Sequence, residues 1–237
     1  MAKTLGIIGG MGPLATAHLF EKIITCTCAD SDQEHIRIFI DNHTGVPDRT
    51  AALLDGGPDP RPYLIDSARK LQSVGADFLI MPCNTAHAYY DDIVAAVDIP
   101  LLSMIEETAR FIRSHFPETS RVGLLSTAGT RRTGVYEKVF QRHGLEIRVP
   151  SQERQAAVTA VIYGVKQGRL DMDLADFFAA VAQLQSEGPD VFVLGCTELS
   201  VANDVRRFEG TFIDPMHVIA TAAIRYAGKE VRRQCLR

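Results

Sequence analysis

Two apolar runs that each end in a cysteine constrain the fold of this chain most. Residues 78–82 are apolar and lead to Cys83, and residues 191–195 lead in the same way to Cys196. Short uninterrupted apolar runs are typical of strands buried on both faces of a parallel sheet. Small hydrogen-bonding residues follow each cysteine, and helical patterns begin there. We therefore expect both thiols at the carboxyl ends of parallel strands, where α/β folds bind their ligands.

Strands and helices alternate along the chain, and the order occurs twice. Strands predicted at 5–8 and 121–125 begin the two passes, and each precedes its cysteine by nearly the same number of residues. Alternation of this kind predicts parallel sheets built from βαβ units. We predict an α/β fold of two similar domains, each a mainly parallel sheet flanked by helices, pseudo-symmetric with the active site in the cleft between them. The first domain comprises residues 1–100 plus 209–237, and the second comprises residues 101–208.

Two further segments of the chain give local predictions. Residues 45–60 are rich in glycine and proline and predict a long loop that carries Arg49. Residues 99–103 predict a strand. Long loops in compact domains are usually functional or mobile.

Composition excludes several classes of protein. The chain has 237 residues, 46% of them hydrophobic and 23% charged, which is typical of a globular protein. Its formal net charge of −4 lacks the basic footprint of a nucleic-acid-binding protein. No apolar run approaches the roughly 18 residues of a membrane helix. The start of the chain does not resemble a signal peptide, so we expect a cytoplasmic protein without a membrane partner.

Five cysteines are present, and an odd number in a cytoplasmic protein argues against a disulfide framework. Cys26 and Cys28 lie in a predicted helix and are interpreted as small packing thiols. Cys235 is assigned no role. No cysteine or histidine spacing suggests zinc, so no metal is expected.

Two other readings compete for the motifs. Residues 10–15 fit the pattern G-x-G-x-x-A after a strand, and Asp41 ends the next strand, as in a dinucleotide site. Asp41 comes later than usual, however, and the reading leaves both cysteines unused. The milder alternative is that the glycines let backbone amides approach a carboxylate. Separately, Cys83 with His87 could form the dyad of a cysteine hydrolase, although this leaves Cys196 unexplained.

A pair of thiols at equivalent points of two halves suggests equivalent tasks on opposite faces of one substrate. Inversion of a carbon requires that arrangement, because one thiolate removes a proton while the other thiol delivers one. Cysteine suits both roles because its reference pKa is about 8.5. Hydrogen-bond donors must stabilise the negative charge that develops at the substrate. Asn84, Thr85 and Thr197, each just after a cysteine, are candidates.

Three motifs resemble those of the aspartate/glutamate racemases. They are GGMGPLAT at 9–16, PCNTAH at 82–87 and GCTEL at 195–199. The resemblance extends over nearly the whole chain. It implies a cofactor-independent amino-acid racemase with two α/β domains, a site between them and, commonly, a homodimer.

The resemblance also implies roles for individual residues. Cys83 and Cys196 fall on the two acid/base positions, with Cys196 taking the α-proton of the L-isomer and Cys83 that of the D-isomer. Arg49, in VPDRT, and Lys166, in GVK, resemble the cations that bind the side-chain carboxylate. Two cations for one carboxylate imply an acidic substrate.

The remaining candidates are small or polar residues near these motifs. Candidate substrate contacts beyond the two cations are Met11, Asn84, Thr85, Thr127, Thr130 and Thr197. His87 and Glu198 follow the cysteines closely and are interpreted either as groups that tune thiol acidity or as helix-end residues. Asn42, which ends the second predicted strand, is a weaker candidate.

The expected function is racemisation of an acidic amino acid, L-aspartate to D-aspartate above all, without pyridoxal phosphate or metal. Glutamate, or both acids, stays open as substrate, as does a relative that isomerises or decarboxylates other acids. A cysteine hydrolase and a small-acid binding protein are the alternatives from other classes. The expected partners are the small acidic substrate and a second copy of the chain.

Overall fold

The computed structural model describes residues 2–236, and two parallel sheets flanked by helices form its frame. The first sheet has the order β2-β1-β3, with β1 Leu5–Gly9, β2 Ile38–Asn42 and β3 Phe78–Ile80. The second has the order β5-β4-β6-β7, with β4 Arg121–Ser126, β5 Glu146–Arg148, β6 Val191–Gly195 and β7 Phe212–Ile213. The predicted α/β class is confirmed.

The two sheets share one strand order. Leu101 forms a parallel bridge with Leu79 of β3, in the place that β7 has beside β6. The strand predicted at 99–103 is therefore reduced to a single bridge. Because β3 and β6 occupy equivalent places, Cys83 and Cys196 follow equivalent strands of the two sheets.

Helices occupy most of the chain between the strands. Their bounds are α1 Pro13–Cys26, α2 Arg49–Leu54, α3 Arg61–Ser73, α4 Tyr90–Val94, α5 Met104–His115, α6 Ala128–Thr133, α7 Val135–Arg142, α8 Gln152–Lys166, α9 Ala175–Ser186, α10 Thr197–Arg206 and α11 Pro215–Tyr226. Short 3-10 helices lie at Asp32–Glu34, Thr85–Tyr89 and Arg233–Cys235. The segment predicted as a loop at 45–60 contains α2, whose first turn is capped by the Asp48 carboxylate accepting from the Ala51 backbone N–H at 2.9 Å.

The domain division stays a prediction. Two strand positions pair with the sheet of the other predicted domain. β7 belongs to the second sheet, whereas Leu101 pairs with the first. The helix that follows β7 returns to the first half, because Ile219 and Ile224 of α11 share an apolar core with Leu19 of α1. Full burial of each such side chain stabilises the fold by about 1.5–3 kcal/mol.

The absence of disulfides expected from the odd cysteine count is wrong for one pair. Cys26, at the end of α1, forms a disulfide with Cys235, and their Cα atoms lie 5.7 Å apart. The C-terminal segment runs antiparallel to the residues after α1, with Thr27 bridged to Val231. Because the two cysteines are 209 residues apart in sequence, motif spacing cannot predict this disulfide. Cys28, Cys83 and Cys196 are free thiols.

Within residues 2–236, every helix is too short or too polar to cross a membrane. Over the same residues, histidine, cysteine, aspartate and glutamate side chains form no group of three that could hold a metal ion.

Candidate active site

A small cavity between the two halves collects nearly all the predicted site residues. Its volume is about 20 Å³, close to the space of one water molecule. The predicted residues in its wall are Met11, Arg49, Cys83, Asn84, Thr85, Thr127, Lys166, Cys196 and Thr197. Asn42 lies elsewhere, at the exposed end of β2.

Both cysteines reach the cavity from the ends of equivalent strands. Cys83 follows β3 by three residues, and Cys196 directly follows β6, where it is the N-cap residue of α10. Their exposed fractions are nearly equal, 5% for Cys83 and 6% for Cys196. The two thiols thus face one shared cavity from separate halves of the chain and are equally shielded from solvent.

Cys196 is part of a buried polar chain. Its thiol donates a hydrogen bond to Glu198 Oε2 at 2.9 Å. The other carboxylate oxygen lies 3.7 Å from Lys166 Nζ at the end of α8. The Thr197 hydroxyl is 3.4 Å from Glu198 Oε2. Burial of the sulfur and the adjacent Glu198 charge raise the pKa of Cys196 well above its usual range, and Lys166 opposes the shift.

Arg49 brings a buried cation to the opposite thiol. As the first residue of α2 it is 8% exposed, and its Nη1 donates to the carbonyls of Val46 and Pro47 at 3.3 and 3.0 Å. Nη2 donates to the Met11 carbonyl at 3.4 Å. Burial acts to lower the pKa of Arg49, but negative charge at the adjacent Cys83 raises that pKa overall. Arg49 Nε is buried without a hydrogen-bond partner among the described residues, so it can donate to a ligand.

His87 does not form a dyad with the Cys83 thiol. Its Nδ1 lies 2.8 Å from the Cys83 carbonyl oxygen, and its Nε2 accepts from the Met104 backbone N–H at 3.1 Å. Both ring nitrogens are therefore occupied by backbone groups. Burial lowers the pKa of His87 from 6.5 to about 4, so the ring is neutral at pH 7. His87 is therefore not available as the base of a cysteine hydrolase.

Three threonines join the halves behind the cavity. The Thr85 hydroxyl lies 3.1 Å from that of Thr127 and 2.9 Å from that of Thr130. Thr127 also caps α6 by accepting from the Thr130 backbone N–H at 3.1 Å. Thr130 is fully buried and lies outside the cavity wall, so its substrate contact stays a prediction.

Asn84 is held so that its amide donors remain free. Its Oδ1 accepts from the Tyr136 hydroxyl at 2.6 Å, and Tyr136 is itself fully buried. Asn84 Nδ2 is buried and has no partner within residues 2–236. An unpaired buried donor costs about 1–3 kcal/mol, which a bound anion would offset.

Four wall residues were not predicted as substrate contacts. They are Asp48, Thr50, Tyr163 and Glu198. Sequence signals exist for two of them: Glu198 is in the first turn of the helix that Cys196 caps, and Tyr163 shares a helix face with Lys166. Asp48 and Thr50 flank Arg49, but the loop predicted there offered no way to orient them.

In the glycine motif after β1, the second glycine, Gly10, allows close packing of the backbone. Gly10 has φ +90°, and a Cβ on it would lie 2.4 Å from the His43 backbone. Only glycine allows this close approach to the segment after β2. Met11, the next residue, lines the cavity and accepts from Arg49.

Comparison with known proteins shows which family the chain is similar to. Residues 8–223 match the family model described as Asp/Glu/Hydantoin racemase. The solved structure of Picrophilus torridus aspartate racemase superposes with a TM-score of 0.83 at 29% identity, covering 98% of this chain and 97% of that one. The broad specificity amino-acid racemase RacX of Bacillus subtilis (strain 168) is 28% identical over 226 residues, or 93% of this chain and 96% of RacX. A glutamate racemase of Corynebacterium kroppenstedtii is 31% identical over 154 residues, which are 63% of this chain and 52% of that enzyme. The chain belongs to the Asp/Glu/hydantoin racemase family.

Proposed function

We propose that the protein racemises an acidic amino acid, with aspartate as the preferred substrate, by means of Cys83 and Cys196. The observation that carries the proposal is that two equally buried thiols, following equivalent strands of two halves, line one cavity. Aspartate is preferred because the neighbour from Picrophilus torridus is an aspartate racemase that the chain matches over nearly its full length.

The chemistry uses groups of this chain alone. One cysteine, as thiolate, takes the α-hydrogen as a proton, and the C–H electron pair stays on the substrate, spread into its α-carboxylate. The other cysteine, as thiol, gives its proton to the opposite face. Donors such as Asn84 Nδ2 stabilise the negative charge at the moment it develops.

Two cations select the side chain of the substrate. Arg49 Nε and Lys166 Nζ belong to residues in the cavity wall and can meet a distal carboxylate. The guanidinium fork orients a carboxylate in a way that the point charge of a lysine does not. A neutral amino acid has no distal carboxylate to meet the two cations.

A second candidate is a racemase of broader specificity. A cavity of about 410 Å³ shares Lys166 and Glu198 with the wall of the site cavity. Its other lining residues are mostly apolar: Gly12, Pro13, Leu14, Ala15, Val165, Gly168 and Val201. A longer or apolar side chain would reach this space if Lys166 moved aside. RacX, a relative over almost the whole chain, is named for broad specificity.

The family resemblance also supports a homodimer, and that assembly and the cytoplasmic location stay predictions. Light scattering during size-exclusion chromatography at micromolar concentration measures the mass directly. Twice the chain mass of 26.0 kDa is expected, and a single-chain mass would contradict the dimer.

Chiral chromatography tests the proposed activity. The protein is incubated with L-aspartate, L-glutamate, L-alanine or L-leucine without added cofactor or metal. We expect D-aspartate to form fastest, and the Cys83→Ala and Cys196→Ala variants to lose at least about 100-fold in rate, since each removes one acid/base group. Cys28→Ala removes an exposed thiol outside the cavity and should leave the rate unchanged.

The outcomes separate the candidates. Comparable rates for leucine and aspartate would favour the broad-specificity racemase. No D-isomer from any substrate would favour a binding protein. Wild-type rates in either cavity-cysteine variant would rule out the two-thiol chemistry.

A further inference from the structure

The two thiols have neighbours of opposite charge. The Cys196 thiol donates to the Glu198 carboxylate at 2.9 Å, whereas Cys83 shares the cavity wall with the Arg49 guanidinium, whose pKa negative charge at Cys83 raises. Since Cys83 and Cys196 are 5% and 6% exposed, solvent access does not distinguish them. The difference between the two halves is therefore one of charge and hydrogen bonding.

The hydrogen bond to Glu198 requires a proton on Cys196. A carboxylate only accepts, so it favours the thiol and opposes a thiolate at the same place. The position at the N-terminus of α10 acts in the other direction, because the helix dipole favours negative charge there. Burial and the Glu198 charge outweigh the helix dipole, since the pKa of Cys196 is raised overall.

The other titratable groups that face Cys196 are few. Lys166 on α8 lowers the pKa of Cys196, and Tyr136 on α7 is neutral because burial raises its pKa well above the usual range. Across the cavity lie Cys83 and Arg49, whose charges both act on Lys166. Glu198 is thus the anion in direct contact with this thiol, and Lys166 is the cation that opposes it.

We propose that Glu198 is a positioning residue that keeps Cys196 in its thiol form in the substrate-free protein, so that the resting protein is set to act on the D-isomer, with Cys83 as base and Cys196 as proton donor. The inference rests on the proposed racemase function and assigns unequal starting roles to the two thiols.

Every proton in this turnover is accounted for. Cys83 thiolate takes the α-hydrogen of the D-isomer, the enantiomer that the family resemblance assigns to it, and becomes a thiol. Cys196 gives its proton to the opposite face and becomes a thiolate. Before the next turnover in the same direction, Cys83 loses one proton to water and Cys196 gains one from water. Glu198 then accepts a hydrogen bond from Cys196 again. Turnover of the L-isomer needs the opposite state, in which Cys196 has first lost its proton to water and Cys83 has gained one.

An acidic substrate reinforces this arrangement. Lys166 lies 3.7 Å from Glu198 and, in the proposed function, also meets the distal carboxylate of the substrate. Any displacement of Lys166 toward that carboxylate leaves the Glu198 charge less neutralised beside Cys196. The thiol form of Cys196 is then favoured further while an acidic substrate is bound, which assists turnover of the D-isomer and opposes proton removal from the L-isomer.

Site-resolved alkylation tests the inference without requiring racemase activity. The substrate-free protein is treated with iodoacetamide across a pH series, and mass spectrometry follows the peptides that contain Cys83, Cys196 and the exposed Cys28. We expect alkylation of Cys196 to have its midpoint at a pH well above the usual range of a thiol. Glu198→Gln should move the midpoint of Cys196 alkylation to lower pH. At a fixed pH below both midpoints, the alkylation rate should rise about tenfold if the midpoint falls by one on the pH scale.

Lys166→Met is the matched variant, because it removes the opposing charge and should move the Cys196 midpoint to higher pH. Glu198→Asp retains the carboxylate and should keep the midpoint nearer to that of the unmodified protein. Unchanged Cys28 rates and circular dichroism report intact folding.

A Cys196 midpoint in the usual range of a thiol, or midpoint changes of one sign in Glu198→Gln and Lys166→Met, would overturn the inference. If the protein showed the expected alkylation pattern but formed no D-isomer, the proposed function would fail and the charge asymmetry would stand.

Discussion

At the scale of single residues, Arg49 is a buried cation whose hydrogen bonds go to backbone carbonyls. Nη1 and Nη2 are shared among Val46, Pro47 and Met11, and Nε is unpaired within residues 2–236. Such a group gains most from an anionic ligand, since a hydrogen bond between charged groups contributes about 1.5–3 kcal/mol. Arg49 is therefore the side chain through which specificity for an acidic substrate can be measured.

Arg49→Ala should weaken binding of aspartate by about 10- to 100-fold, the range that one charged hydrogen bond provides. Binding of alanine, which lacks the distal carboxylate, should change much less. Calorimetric titration of both amino acids gives the comparison, with Arg61→Ala in the exposed first turn of α3 as control. Equal losses for aspartate and alanine would remove Arg49 from the side-chain pocket.

Sequence patterns identified residues that sit at strand ends, because strand ends and motif spacing are local. Cys83 and Cys196 reach the cavity as expected, and Arg49 and Lys166 lie in its wall. Thr130 lies outside the cavity wall, where its backbone N–H donates to the Thr127 cap and its hydroxyl forms a hydrogen bond with that of Thr85, and its substrate contact stays a prediction. Sequence also left the role of Glu198 undecided, since the contact with the thiol depends on side-chain direction.

At the scale of elements, the 3-10 helix Thr85–Tyr89 fixes the segment that carries Cys83. His87 in this helix joins the Cys83 carbonyl to the N-terminus of α5 through its two ring nitrogens. Only a neutral ring can accept from the Met104 N–H, and burial lowers the pKa of His87 to about 4. The helix therefore couples the geometry of Cys83 to the protonation of one histidine.

His87 should make the fold sensitive to acid. The unfolded chain binds this proton near pH 6.5, whereas the folded protein binds it only near pH 4, so stability is complete above pH 6.5 and is lost as the pH falls toward 4. The loss between pH 7 and pH 5 should be about 2 kcal/mol. Urea unfolding at both pH values measures it in the unmodified protein and in His87→Gln.

His87→Gln should lose less stability over that interval, because its side chain does not titrate. His115→Gln, at the exposed end of α5, is the control and should behave like the unmodified protein. Identical losses in all three proteins would show that His87 does not carry the acid sensitivity.

At the scale of the whole molecule, the cavity is bordered by a close contact between the halves. α2 of the first half packs on α6 of the second so tightly that a Cβ on Gly129 would lie 2.7 Å from the Thr50 hydroxyl oxygen. The remaining volume of about 20 Å³ holds a water but not an amino acid.

The duplicated architecture was predictable because βαβ units repeat along the chain at near-constant spacing. The crossings between halves were not, since they join residues distant in sequence: β7 with β6, α11 with α1, and Cys235 with Cys26. Hydrophobic pattern indicates that a helix is buried but not which neighbour it packs against.

The central claim, that two thiols from separate halves act on opposite faces of one carbon, is tested most directly in deuterium oxide. L-Aspartate is incubated with the protein, and both enantiomers are analysed for α-deuterium at low conversion. We expect nearly every new D-aspartate to carry deuterium while the remaining L-aspartate still carries hydrogen, because the donating thiol has exchanged with solvent. New D-aspartate that retains the original hydrogen, or equal early deuteration of both enantiomers, would mean that one group serves both faces.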